Sequence, residues 1–185
     1  MRPVPGLLAV IDRQRVFADP ASPWAAPRHA EAATGVARLL PAFGDRVVFT
    51  RFLAPARPTG VRRAYYDQWP FALQPPDAEL WRLTTEFAGL GAPVLDAETF
   101  GKWTPEPAAR LAPGSRLVLA GVSTECCVLT TALADADAGT EVVFVADASA
   151  DVDDEAHARA LHVLELYRPL VRVTSVDELL GEGGP

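Results

Sequence analysis

Six short apolar runs, separated by stretches of helical period, leave this chain few architectures to choose from. Leu7 to Ile11, Arg46 to Thr50, Pro93 to Asp96, Arg116 to Val122, Glu141 to Ala146 and Leu170 to Thr174 read as strands. Between them, helical patterns run from His29 to Phe43, Asp77 to Leu90, briefly near Pro107 to Leu111, Thr124 to Ala138 with Gly139 as the stop, and Asp153 to Tyr167. Such alternation predicts an α/β fold with a mainly parallel sheet covered on both faces. Runs such as Val-Val-Phe-Thr, Leu-Val-Leu-Ala and Val-Val-Phe-Val are apolar throughout because neither face meets water. A length of 185 residues fits one domain, taken as residues 1–180, with 181–185 as a flexible tail. In open sheets of this kind ligands bind beyond the carboxyl ends of the strands, so the chemistry is sought there.

Composition narrows the partners. An apolar fraction of 49% with 22% charged residues is that of a globular protein, and no apolar run approaches the about 18 residues that span a bilayer. No membrane association is expected. A net charge of −7 without a basic cluster argues against nucleic acid. The only two cysteines, Cys126 and Cys127, are adjacent, which fits neither a fold-stapling disulfide nor paired zinc ligands and suits a reducing, cytoplasmic location.

Three polar positions stand at or after strand ends. Cys126 and Cys127 fall in the first turn of a helix, where unpaired N–H groups and the helix dipole favour a thiolate. From position alone, nucleophile and small buried core residue are equally open readings. Asp12 closes the first strand, where burial suits it to proton transfer; a turn or capping role is the alternative. Lys102 is the only lysine among seventeen basic residues, a compact ammonium that arginine cannot replace. The segment Arg51 to Pro76, rich in proline, arginine and aromatics, is too long for a plain connection and reads equally as a substrate-covering lid or a subunit contact.

Asp12-Arg-Gln-Arg-Val-Phe17 after the first strand, Thr99-Phe-Gly-Lys102-Trp103 after the third, and Gly121-Val-Ser-Thr-Glu-Cys-Cys127-Val128 together resemble the isochorismatase-like cysteine hydrolase superfamily over nearly the whole chain. The resemblance implies a three-layer α/β/α Rossmann-like fold with a six-stranded sheet in the order 3-2-1-4-5-6. It also implies an Asp12, Lys102 and Cys127 triad, and hydrolysis of an amide-like carbon–nitrogen bond of a small molecule through a thioester. Cys127 is chosen over Cys126 because the nucleophile of the family follows the Thr of Gly-Val-x-Thr by three residues. Cys126 takes a position that is usually aliphatic. Further implications are a cis peptide between Val122 and Ser123, and an oxyanion hole from the N–H groups of Ser123 and Cys127. A substrate pocket is expected from Gln14, Phe17, Tyr66, Trp69 and Trp103, with Gln14 orienting polar groups near Asp12. No cofactor is expected, and family members are commonly homodimers or homotetramers.

Zinc is not expected. Nicotinamidases of the superfamily hold it with an Asp-x-His pair after the second strand and a His three residues beyond a Trp. Here Thr50-Arg-Phe-Leu53 and Ala72 occupy those places. Asp147, Ser149, Asp151 and Asp153 are spaced like calcium-loop ligands, but Val152 replaces the sharp-turn glycine and Ala158 the twelfth ligand; helix capping is the expected role. Three other readings compete. The first is vinyl ether hydrolysis as in isochorismatases, which does not require the cysteine. The others are a redox-sensing Cys126–Cys127 pair and a non-catalytic scaffold of the same fold.

Overall fold

Residues 4–102 and 115–181 are described by the computed structural model. The apolar runs become β1 (Leu7–Ile11), β2 (Val47–Phe52), β3 (Val94–Ala97), β4 (Arg116–Gly121), β5 (Glu141–Ser149) and β6 (Val171–Thr174). They form one sheet in the order β3-β2-β1-β4-β5-β6, with every neighbouring pair parallel. The helices are α1 (Arg15–Ala18), α2 (His29–Phe43), α3 (Arg62–Gln68), α4 (Leu129–Asp137), α5 (Asp154–Leu166) and α6 (Val176–Gly181).

The side-chain alternation of a strand sorts the core into two layers. Leu8, Val10, Val118, Ala120, Val143 and Val145 pack on one face against Val36, Leu39 and Phe43 of α2 and Leu179 of α6. Their sequence neighbours Ala9, Ile11, Leu117, Leu119, Val142 and Phe144 pack on the other face against Ala132 and Ala136 of α4 and Leu164 of α5. A third cluster, which includes Phe17, Phe52, Tyr66, Trp81 and Val122, contains residues from the carboxyl ends of β2 and β4. The three-layer α/β/α arrangement is thus the one expected.

Two segments depart from expectation. Asp77 to Leu90 is not a helix: only a 3₁₀ turn, Glu79–Trp81, forms there. Its backbone pairs with another segment instead, since Arg15 N–H donates to the Arg82 carbonyl (2.9 Å), Thr84 N–H to the Arg13 carbonyl (2.9 Å), and the Gln14 amide to the Trp81 carbonyl (2.8 Å). A helix would need those groups for itself. The second departure is α6, which was not expected and reaches into the supposed tail at Gly181. A reciprocal cap opens it: Glu178 N–H donates to the Ser175 hydroxyl (3.2 Å), and the Glu178 carboxylate accepts from Ser175 N–H (2.9 Å). Pro107 to Leu111 and residues 182–185 lie outside the described residues.

The four calcium-like positions serve separate elements. Asp153 caps α5 through Ala156 N–H (2.7 Å), while Asp147 accepts from Val176 N–H of α6 (2.8 Å). Asp151 accepts from Glu125 N–H (2.6 Å), and the Ser149 hydroxyl donates to the Val145 carbonyl (2.9 Å). Only one of the four therefore caps the helix that follows.

Asp135 of α4 is fully buried with neither carboxylate oxygen hydrogen-bonded, and burial pushes its carboxyl up to about 8. A raised folded-state value means stability is fully present below the unfolded value and is lost as pH rises through the folded one. Wild-type thermal stability should therefore fall between about pH 4 and 8 by this contribution, and Asp135→Asn should remove that slope. Melting temperatures of the two proteins, measured across that range, should diverge most above pH 8.

Candidate active site

At the end of β1 the chain leaves the sheet through Asp12, whose φ of 48° is a left-handed conformation that aspartate tolerates. Gln14 N–H donates to the Asp12 carbonyl (2.7 Å), closing the turn. Beside it, β4 ends in Gly121 at φ +132°, where a Cβ would stand 2.1 Å from the Ile11 carbonyl oxygen. Only glycine lets β4 pass this close to the Asp12 strand. The peptide between Val122 and Ser123 is cis, and the chain enters a π turn, Thr124–Val128, that continues into α4.

The turn brings Cys127 to Asp12. Asp12 is fully buried, Cys127 is 3% exposed and Lys102 is 4% exposed. Lys102 Nζ lies 2.9 Å from Asp12 Oδ2 and donates to the Thr99 carbonyl (2.9 Å), while Asp12 Oδ1 accepts from the Thr50 hydroxyl (2.6 Å). Thr50 Oγ1 also accepts from Asp12 N–H (3.1 Å), so one threonine fixes the carboxylate and its backbone. Thr131 of α4 links the other two members. Its oxygen accepts from Lys102 N–H (2.9 Å) and donates to the Cys127 carbonyl (2.6 Å). The Lys102 ammonium also stands 5.0 Å above the centre of the Phe52 ring.

The Cys127 thiol is held well above its usual range, first by burial and then by the Asp12 charge; Lys102 partly opposes this, and a hydrogen bond to Asp12 adds to it. Desolvation thus opposes the helix-terminus effect expected from sequence. Cys126 is exposed and lies at about 11, raised by desolvation and by Asp151 and Glu125. Cys126 therefore does not rest as a thiolate at neutral pH.

The π turn also affects which N–H groups are free. Ser123 O accepts from Cys126 N–H (3.2 Å) and Val128 N–H (3.2 Å), and not from Cys127 N–H. Among the described residues no acceptor takes Ser123 N–H. Two further ties hold the turn. Asp151 accepts from Glu125 N–H, as above; the Thr124 hydroxyl donates to the Ala150 carbonyl (3.1 Å) and accordingly accepts from Nδ1 of His157 (2.9 Å).

Gln14 does not face a pocket. Both amide hydrogens are used, toward the carbonyls of Phe52 (3.0 Å) and Trp81 (2.8 Å), and its oxygen accepts from Phe52 N–H (2.8 Å). The side chain is fully buried and braces β1, β2 and the Trp81 turn together. Gln14→Ala should therefore cost about 2–5 kcal/mol, read from urea unfolding, by leaving three buried backbone groups unpaired.

Phe17, Tyr66 and Trp69 lie in an aromatic wall that Arg51 to Pro76 builds by folding into α3 and the 3₁₀ turn Pro70–Ala72. Its centre is Trp24, which sequence reading missed. It stacks on Phe17 (6.2 Å between ring centres) and meets Phe52, Tyr65, Trp69, Phe71 and Trp81 at 5.0–6.4 Å. Tyr65, rather than its neighbour Tyr66, senses the cysteines: burial, then Tyr66, Cys126 and Cys127, push its hydroxyl up to about 12. Tyr65 also packs edge-on against Phe100 (5.8 Å), which stacks on Phe52 (5.8 Å). Trp103 lies outside the described residues.

Among the described residues no helix is long and apolar enough to cross a membrane, and no group of three metal-ligating side chains comes together. The family described as Isochorismatase domain matches residues 6–178. No curated protein matches the chain. Among solved structures, a cysteine hydrolase from Pseudomonas syringae pv. phaseolicola 1448A is similar at 18% identity and a TM-score of 0.82, over 99% of this chain and 94% of that one. An isochorismatase-like hydrolase from Alkaliphilus metalliredigens is similar at 18% identity and 0.75, over 95% and 97%. The nicotinamidase PncA from Bacillus subtilis is similar at 19% identity and 0.68, over 91% and 98%. At these identities the likeness carries the fold.

Proposed function

From the premise that this chain belongs to the isochorismatase family of hydrolases, we propose that it is a cysteine amidohydrolase acting on a small molecule through a thioester on Cys127. The observation that carries this reading is the shared burial of Cys127 and Asp12, whose charge acts on the thiol, with Asp12 itself paired with Lys102 at 2.9 Å. Activation then occurs when substrate arrives. Asp12 takes the thiol proton as sulfur attacks the carbonyl carbon, and the oxyanion is met by the N–H groups of Ser123 and Cys127. Asp12 returns that proton to the leaving nitrogen, the carbon–nitrogen bond breaks, and a thioester remains. Water, deprotonated by Asp12, attacks the thioester; the acid departs and Cys127 recovers its proton.

Lys102 holds the carboxylate in place throughout and keeps its charge compensated. The burial of Cys127 within the field of Asp12 favours this reading over vinyl ether hydrolysis, which leaves the cysteine without a task. Rings of Trp24, Phe52, Tyr65 and Phe100 suit an apolar acyl group beside the reacting carbonyl. Ammonia release from a panel of aliphatic and aromatic amides, ureas and carbamoyl compounds tests the proposal. Turnover of at least one apolar amide is expected. Activity confined to vinyl ethers would overturn it.

A further inference from the structure

Where β1 ends, the first N–H beyond it has to find a partner outside the ladder. β1 and β2 run parallel with Val10 opposite Phe49, so the next residue of β2, Thr50, flanks the turn at Asp12. The Asp12 N–H donates to Thr50 Oγ1 (3.1 Å). That bond decides what the hydroxyl does. An oxygen that accepts from the backbone turns its own proton elsewhere, and here the proton is given to Asp12 Oδ1 (2.6 Å). Thr50 is 3% exposed and β-branched on a strand, so its side-chain torsion is restricted and the hydroxyl is held where it stands.

The two oxygens of the carboxylate therefore differ. Oδ1 has a short hydrogen bond from a neutral hydroxyl. Oδ2 has the Lys102 ammonium at 2.9 Å, yet it accepts no hydrogen bond among the described residues, and the ammonium donates to the Thr99 carbonyl (2.9 Å). A charge at that distance compensates the carboxylate without a directed bond that would occupy Oδ2.

We propose that Thr50 is a positioning residue of the reaction, which commits Oδ1 to hydrogen bonding and so makes Oδ2 the oxygen that carries the proton. This role rests on the amidohydrolase reading. As the sulfur–carbon bond forms, the thiol proton of Cys127 passes to Oδ2; as the carbon–nitrogen bond breaks, Oδ2 returns it to the leaving nitrogen. A carboxylate free to turn about its last torsion would present either oxygen, whereas one tied at Oδ1 presents the same oxygen at both steps.

Paired substrates test this: an amide for which the panel detects turnover, and the p-nitrophenyl ester of the same acid, whose leaving group departs without a proton. Thr50→Val keeps the shape of the side chain and removes the hydroxyl. It should lower kcat/KM for the amide by about 10²-fold, and for the ester by at least about tenfold less. Thr50→Ser, which restores the hydroxyl, should recover most of the amide loss. Equal losses on amide and ester overturn the role, since they mark a distorted site. A Thr50→Val enzyme as active on the amide as the wild type overturns it too. In both cases the wild type still hydrolyses the amide and the amidohydrolase reading stands, whereas a wild type that turns over no amide overturns both. Should Thr50→Val not fold, Thr50→Ala goes into the same comparison.

Discussion

Cys127→Ala should lose amide hydrolysis by about 10⁴-fold or more while keeping its fold. The side chain is 3% exposed and packs in the cluster that contains Ile11 and Val128, so the change removes one sulfur atom and costs little in packing. On the proposed mechanism, without the sulfur there is no covalent intermediate, and the paired Asp12 and Lys102 are left holding a substrate they cannot attack. Asp12→Asn should lose a similar factor for another reason: the amide cannot take the thiol proton. It should also cost stability, because Lys102, 4% exposed, loses the anion 2.9 Å away. The double variant should be no less active than the worse single one, since the groups act in one step. Cys126→Ala should stay within a few-fold of wild type, as its exposed thiol lies outside that contact.

Trp81→Ala should be the most destabilising of the core truncations, by about 3–5 kcal/mol, read from the urea midpoint. Trp81 is the largest fully buried side chain among the described residues. It meets Phe52 (5.9 Å) and Trp24 (6.3 Å) between the ends of the strands and the aromatic wall, and its indole N–H donates to the Gln74 carbonyl (3.4 Å). Truncation opens a cavity under the wall and loosens the turn whose carbonyl Gln14 holds. With a typical total stability of about 5–15 kcal/mol, such a variant keeps little in reserve. Trp81→Phe should recover more than half of the loss.

The sheet was legible because each central strand is buried on both faces and so carries an unbroken apolar run. The helix expected over Asp77 to Leu90 failed because periodicity does not reveal that residues 13–15 claim the backbone of residues 81–84. The cap of α6 was readable as Ser175-x-x-Glu178 and was overlooked. Asp12 and Lys102 stood out as polar residues at strand ends, and they meet in a buried pair. Thr50 and Thr131, which orient that pair, look in sequence like ordinary strand and helix residues. Trp24 lies in a turn-rich stretch, and most of its partners come from the folding of Arg51 to Pro76. Gln14 shows the converse: a polar residue two places after Asp12 is spent on backbone, and adjacency alone could not distinguish bracing from binding.

The most direct test takes an amide for which the panel detects turnover, quenches the reaction in acid during steady state, and maps the protein by peptide mass spectrometry in a Cys126→Ala background. A hydroxylamine-labile acyl adduct on Cys127, absent from Cys127→Ala, is the predicted result. Undiminished turnover by Cys127→Ala, with no adduct on the wild-type residue, would contradict the account.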